Sequence, residues 1–335
     1  MIYPKFLKPG DTIGICAPSD GKNPDDTSYD ISLNYLKEEG YNVYETPNVR
    51  TGKKPSADPT TRANDFNELM KRDDIDFIFA AAGGEFLMEM LPYVDDEIIK
   101  ETIANNKTKW FSGFSNPTLL LMYLTTKFDI ATMYGCNSGA FSYKNLHKSL
   151  QDALKIIKGD IPVQESFDKC ERISFDEESE EGLILNTDSK WITPNGEVDI
   201  EGRLIGGCID TLVFFHGTRF DFVKDFIERY KDDGIIWYFD NFGLSTEDLY
   251  SELWTLRESG WFKYAKGFVF GRTMFESTHT GTTYVEAVQR ALGTEIPIIM
   301  ETEVSHIKPR FCLINGAIGH FKSKDGKGSL EMSLK

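Results

Sequence analysis

Two residues combine a reactive side chain with a setting that suits acyl transfer. Ser115 stands in the run Gly113-Phe-Ser115-Asn-Pro117, between an apolar strand-like stretch and an apolar helix-like stretch. A serine at a tight strand-to-helix turn has its hydroxyl pushed clear of the backbone. The helix that follows aims its free N–H groups and its dipole at charge developing beside that hydroxyl. Gly113 keeps a side chain out of the turn, and Pro117 suits a first helical turn, where a missing N–H costs nothing. The run is close to the Gly-x-Ser-x-Gly elbow of hydrolases, with Pro117 where the second glycine would stand. Taken alone, it fits equally a serine that does no more than cap a helix.

The second residue is His306, in a polar loop (302–310) after an apolar strand. Loops at strand ends are where α/β sheets hold ligands, and a histidine there can act as general base near neutral pH. The other histidines, His147, His216, His279 and His320, read as surface or packing residues. Asp240 ends the apolar run 235–239. An acid in that place can orient a histidine and stabilise the imidazolium. Glu247 is the nearest other glutamate. Gly83 and Gly84 follow a third apolar run, and their N–H groups can serve as an oxyanion hole or simply form a tight turn.

Other chemistries lack their signatures. The chain has no Gly-x-Gly-x-x-Gly and no Gly-Lys-Ser/Thr, so no nucleotide-cofactor fingerprint is present. Its five cysteines are scattered, without zinc spacing, and no cofactor or metal is expected. A formal net charge of −16 argues against a nucleic-acid partner and against an anionic membrane surface. The N-terminal residues lack a signal-peptide core, and no apolar run approaches a membrane span. Scattered thiols and these absences lead to the expectation of a cytoplasmic protein.

The elements that must position these residues alternate. Strands are expected at 11–17, 41–45, 75–80, 109–113 and 130–134, with helices at about 31–36, 61–71, from 85, and after Ser115. That order implies parallel crossovers and a doubly wound sheet. From about 159 to 196 the texture changes, with an acidic run at 176–181 read as a solvated loop and short strands expected at 182–185 and 190–192. A second alternating block follows, with helices at 209–215, 247–260 and 284–292. Its strands fall at 235–240, 265–270 and 296–300, and a hairpin is expected at the end around Gly326. The expected domains are 1–158, carrying the serine, a connection at 159–200, and 201–335, carrying the acid and the histidine.

Six segments, in register over nearly the whole chain, resemble the LD-carboxypeptidase family of serine peptidases, and within it the microcin C immunity branch. They are 9–18; 83–85 with 91–95; 113–116; 202–207; 237–241 with 260–263 and Gly271-Arg272; and 304–306. The resemblance implies a flavodoxin-like N-terminal domain, a smaller C-terminal α/β domain and an active site in the cleft between them. It implies a Ser–Glu–His triad in which Ser115 is the nucleophile, His306 the base, and Asp240 stands where the family has glutamate. It further implies Gly84 and Asn116 N–H groups as the oxyanion hole, Asn116 standing where many relatives have aspartate. Glu85 and Trp191 are the expected substrate contacts, Trp191 as an aromatic plate for a nucleotide. The activity implied is carboxypeptidase cleavage of murein tetrapeptides with release of the terminal D-alanine. The alternatives are cleavage of peptidyl- or aminoacyl-nucleotides, or a catalytically weak small-ligand binder, which the Asp240 departure favours. The expected partner is a small peptide or peptidyl-nucleotide, and a homodimer is left open.

Overall fold

The computed structural model describes residues 1–172 and 179–335. Half of the acidic run at 176–181 therefore lies outside the described residues. The chain forms two compact units. The first comprises Met1–Asp160 with Ser179–Gly182, the second Ile161–Glu178 with Leu183–Lys335.

In the first unit, strands β1 (Thr12–Cys16), β2 (Asn42–Glu45), β3 (Phe77–Ala80), β4 (Trp110–Gly113) and β5 (Thr132–Tyr134) alternate with helices α1 (Thr27–Glu38), α2 (Pro59–Lys71), α3 (Asp96–Ala104), α4 (Thr118–Phe128) and α5 (Lys148–Ile157). The strands pair in parallel in the order β5-β4-β3-β1-β2. β3 and β4 are buried along their whole length, which is why they read as continuous apolar runs. α4 is buried on nearly every side, so it too lacks an amphipathic pattern. The helix expected from 85 begins as a 3₁₀ helix, Leu87–Tyr93, ahead of α3. All crossovers place the loops after β1, β3 and β4 at the carboxyl edge of the sheet, where such sheets hold ligands.

The second unit opens with the short strands β6 (Gln164–Glu165), β7 (Lys169–Cys170) and β8 (Thr187–Asp188). The strand expected at 182–185 is not formed, and at 190–192 only Ile192 makes an isolated bridge, to Met300. Residues 180 and 181 instead accept backbone hydrogen bonds from Lys144 and Asn145. Then come β9 (Val198–Cys208), α6 (Ile209–Phe215), α7 (Val223–Arg229), β10 (Ile235–Asp240), α8 (Thr246–Glu258), β11 (Ala265–Gly271), α9 (Tyr284–Leu292) and β12 (Ile298–Thr302). The chain ends with β13 (Leu313–Asn315) and the hairpin of β14 (Ile318–Lys324) and β15 (Lys327–Ser333). A seven-stranded mixed sheet has the order β12-β11-β10-β9-β14-β15-β6, with its β9-to-β12 half parallel. β9 is longer than its glycines suggest. A Cβ at Gly206 would stand 1.9 Å from the Tyr238 carbonyl oxygen, so the position needs a glycine within a strand. Among the described residues, no helix is long and apolar enough to cross a membrane.

Candidate active site

Ser115 occupies the turn between β4 and α4 with φ +70°, a left-handed backbone that a non-glycine residue adopts only when its surroundings enforce it. The enforcement is local. The Ser115 carbonyl accepts bonds from the Thr118 N–H at 2.9 Å and the Thr118 hydroxyl at 2.7 Å, which start α4. A Cβ on Gly113 would lie 2.5 Å from Pro117 Cβ, so the turn beside Pro117 needs a glycine at 113.

The loop after β3 comes up to the serine. A Cβ on Gly83 would meet Ser115 Cβ at 3.0 Å and Ser115 Oγ at 3.3 Å. Gly84 follows with φ +130°, a conformation closed to side chains. Neither the Gly84 nor the Asn116 backbone N–H has an acceptor among the described residues. Glu85 is exposed on the same loop.

The Asn116 side chain does more than its sequence position suggests. It is 1% exposed, and its Oδ1 accepts from Ser19 Oγ at 2.7 Å and from the Leu87 N–H at 3.1 Å. It therefore ties the loops after β1 and β3 to the serine turn. Arg62, from α2, adds a second tie. Its guanidinium is fully buried, donating to the carbonyls of Pro18 (2.9 Å) and Phe86 (3.1 Å) and to Glu89 Oε2 (2.9 Å). Sequence reasoning missed Arg62, because an arginine on a polar helix face gives no sign of pointing inward.

In the second unit, Asp240 ends β10 and is fully buried. Its carboxylate accepts from the His306 ring, with Nδ1 2.9 Å away, and from the His306 backbone N–H at 3.1 Å. With Nδ1 facing the carboxylate, proton exchange at the ring falls to Nε2. The ring packs on Phe242, with centroids 4.6 Å apart. Asp210, at the start of α6, fixes the segment after Asp240 by accepting from the N–H groups of Phe242 (2.9 Å) and Gly243 (2.7 Å). Burial, and then the charges of Asp210 and Asp240, push the Cys208 thiol far above its usual range, so it stays neutral beside the acid. The other acid considered, Glu247, is committed elsewhere. It accepts from Thr280, Thr278 and the His279 N–H, and the bonds from Thr280, then Thr278, hold its carboxyl down at about 2.

The His306 loop rests on a buried ion pair. Arg272 donates to Glu303 Oε1 at 3.0 Å and to the carbonyls of Ile307 (3.2 Å) and Pro309 (2.7 Å), on either side of the bend after His306. Trp191 belongs to this support. It is 3% exposed, its indole N–H donates to Glu303 Oε2 at 2.6 Å, and its ring packs near Phe311 and Phe321. The ring expected to serve as an aromatic plate is here taken up inside the second unit by a polar anchor and two phenylalanines.

Comparison with known proteins adds the family. Residues 13–135 match the LD-carboxypeptidase N-terminal domain and residues 201–320 the LD-carboxypeptidase C-terminal domain, the two halves of the S66 peptidase family. The chain belongs to the LD-carboxypeptidase family. It is similar to a Vibrio cholerae protein that carries the name carboxypeptidase, at 24% identity over 92% of this chain and 91% of that one. It is also similar, at 24% identity over 75% of this chain and 72% of the other, to the microcin C7 self-immunity protein MccF of Escherichia coli. Among solved structures, an MccF-like protein from Bacillus anthracis superposes with TM-score 0.80 at 22% identity over all of both chains. An MccF-like protein from Streptococcus pneumoniae, solved with AMP, gives TM-score 0.80 at 26% identity over 96% of this chain and 99% of that one. An S66 chain is a serine peptidase.

Proposed function

We propose that this S66 peptidase hydrolyses an amide bond next to a C-terminal residue or group, with Ser115 as nucleophile, His306 as general base and Asp240 as the acid that orients it. The observation that most supports this is the fully buried Asp240 carboxylate receiving both the ring and the backbone N–H of His306. In this reading His306 Nε2 takes the Ser115 proton as Oγ attacks the carbonyl carbon. The Gly84 and Asn116 N–H groups hold the resulting oxyanion. Collapse breaks the C–N bond, and His306 returns the proton to the leaving amine. A water deprotonated by His306 then cleaves the acyl-serine ester and restores the hydroxyl.

The substrate we propose is a murein tetrapeptide, cleaved with release of its terminal D-alanine. The family description and the carboxypeptidase relative support it. A second reading, cleavage of an aminoacyl- or peptidyl-nucleotide, is favoured by relatives solved with AMP and with aspartyl sulfamoyl adenosine. We place either activity in the cytoplasm, supported by five cysteines that are all buried free thiols. The test is to incubate purified protein with a murein tetrapeptide and, separately, with aspartyl sulfamoyl adenosine. D-Alanine or free aspartate should appear with wild type and not with Ser115→Ala. Turnover that survives Ser115→Ala would end the serine mechanism. Tight binding of either compound without turnover would favour a ligand-binding relative.

A further inference from the structure

The structure assigns Asp20, in the loop after β1, to the positioning of the oxyanion loop. The inference rests on the serine mechanism above. Asp20 touches the turn after β3 at two points. Its backbone N–H donates to the Gly83 carbonyl at 3.1 Å. Its carboxylate lies against the Gly84 Cα: a Cβ built there would stand 2.2 Å from Asp20 Cγ, with both carboxylate oxygens within 2.7 Å. Gly84 at φ +130° is thus held from below by the carbonyl before it and from the side by a carboxylate. The Glu85 N–H, one residue on, faces the same carboxylate.

These contacts decide where the Gly84 N–H points. A glycine at this φ has no side chain to hold it, and glycine loses more freedom on ordering than any other residue. Without a fixed partner the Gly83–Gly84 peptide would be free to rotate, and its N–H would leave the position beside Ser115. Asp20 pins both peptides that flank Gly84: its backbone N–H holds the Gly83 carbonyl, and its carboxylate holds the Glu85 N–H of the next peptide and packs on the Gly84 Cα, so removing the carboxylate frees one of the two pins. Its carboxylate is also half-buried, and burial raises its pKa while Lys54, the Glu85 N–H and Arg62 pull it back. Asp20 is placed to act through Gly84 rather than on the carbonyl that reacts. It is a positioning residue.

The experiment compares wild type with a shape-matched pair, Asp20→Asn, which keeps an acceptor oxygen, and Asp20→Leu, which has none. Asp20→Ala is the second acceptor-free variant should leucine not be accommodated. Three quantities are read on the full chain: kcat and KM for the amide substrate, the second-order rate of Ser115 phosphonylation by a fluorophosphonate, and Tm. Loss of a whole oxyanion donor costs ~10²–10³ in kcat, and a misaimed donor a good part of that. The acceptor-free variant should therefore lose about tenfold or more in both kcat and phosphonylation rate, with KM within about twofold. Asp20→Asn should stay within about threefold of wild type, since its oxygen replaces the acceptor. The assignment is overturned if the acceptor-free variant reacts like wild type, if asparagine is as impaired as leucine, or if KM rises while kcat holds. Should Ser115→Ala retain turnover, the peptidase reading itself fails. An essential Ser115 beside an indifferent Asp20 removes this inference alone.

Discussion

Replacing Asp240 with asparagine should reveal whether His306 is an aligned base or an incidental loop residue. The carboxylate accepts two bonds from the same residue, the ring Nδ1 at 2.9 Å and the backbone N–H at 3.1 Å. A carboxamide has one acceptor oxygen and one donor amide. If its oxygen stays with the backbone N–H, its NH₂ group turns to Nδ1 and the ring must carry its proton on Nε2. That tautomer cannot take a proton from Ser115. The lost charge acts in the same direction. With centres roughly 4 Å apart and an effective dielectric near 20, carboxylate and imidazolium attract by about 4 kcal/mol. At about 1.4 kcal/mol per decade this is ~10³ in rate. The same substitution in Ser-His-Asp enzymes costs ~10⁴ in kcat, the wrong tautomer included. Asp240→Asn should therefore lower kcat by ~10³–10⁴ with KM little changed, since the group acts only as charge develops. The assay is steady-state release of the leaving amine, with calorimetry to confirm an unchanged fold. A loss below about tenfold in a protein with native Tm would refute the argument. Asp240→Glu keeps the charge but adds a methylene to a site with no exposed surface, where overpacking costs ~1–3 kcal/mol. It should lower Tm yet keep more activity than asparagine.

Three further outcomes are expected. Gly84→Ala forces a side chain into φ +130° and onto the Asp20 carboxylate, so kcat should fall by ~10²-fold or more as the donor is displaced; an alanine variant at wild-type kcat would show that Gly84 holds no oxyanion. Trp191→Phe leaves a buried Glu303 oxygen one bond short and should destabilise the protein by ~1–3 kcal/mol with KM unchanged for either substrate class; a raised KM for the nucleotide compound at constant Tm would restore the plate. Glu252, buried on α8, has its carboxyl pushed up to about 7 by desolvation. Its folded pKa exceeds its unfolded one, so between about 4.5 and 7 the folded state binds more protons and stability falls as pH rises through that window. Glu252→Gln should raise Tm at pH 8 and leave it unchanged near pH 4, as differential scanning calorimetry at the two values would show.

Much of the frame was legible because periodicity and punctuation agree. The parallel core strands appear as continuous apolar runs, and Gly113 with Pro117 marks the sharp turn at Ser115. Asp240 and His306 were legible as strand-end residues for the same reason. What escaped was set by contacts distant in sequence. The part Asp20 plays depends on the backbone of Gly84, and the inward course of Arg62 on carbonyls at positions 18 and 86. The inward residues of α7, Val223, Phe226 and Ile227, are too few among its charged neighbours to stand out as α6 does with its apolar run. Trp191 beside a polar stretch looked available for a ligand because its partner, Glu303, lies over a hundred residues away.

The Asn116 carboxamide has a consequence for changing what this protein cuts. One side chain fastens three separate loops, so none of them can be redesigned as an independent part. A graft of the 83–87 segment from a relative must still bring the N–H at 87 to the carboxamide, and a new residue at 116 would unfasten both neighbours together. Libraries aimed at altered specificity should therefore exchange the segments around 19, 84 and 116 as one cassette, with Arg62 kept as the common rivet.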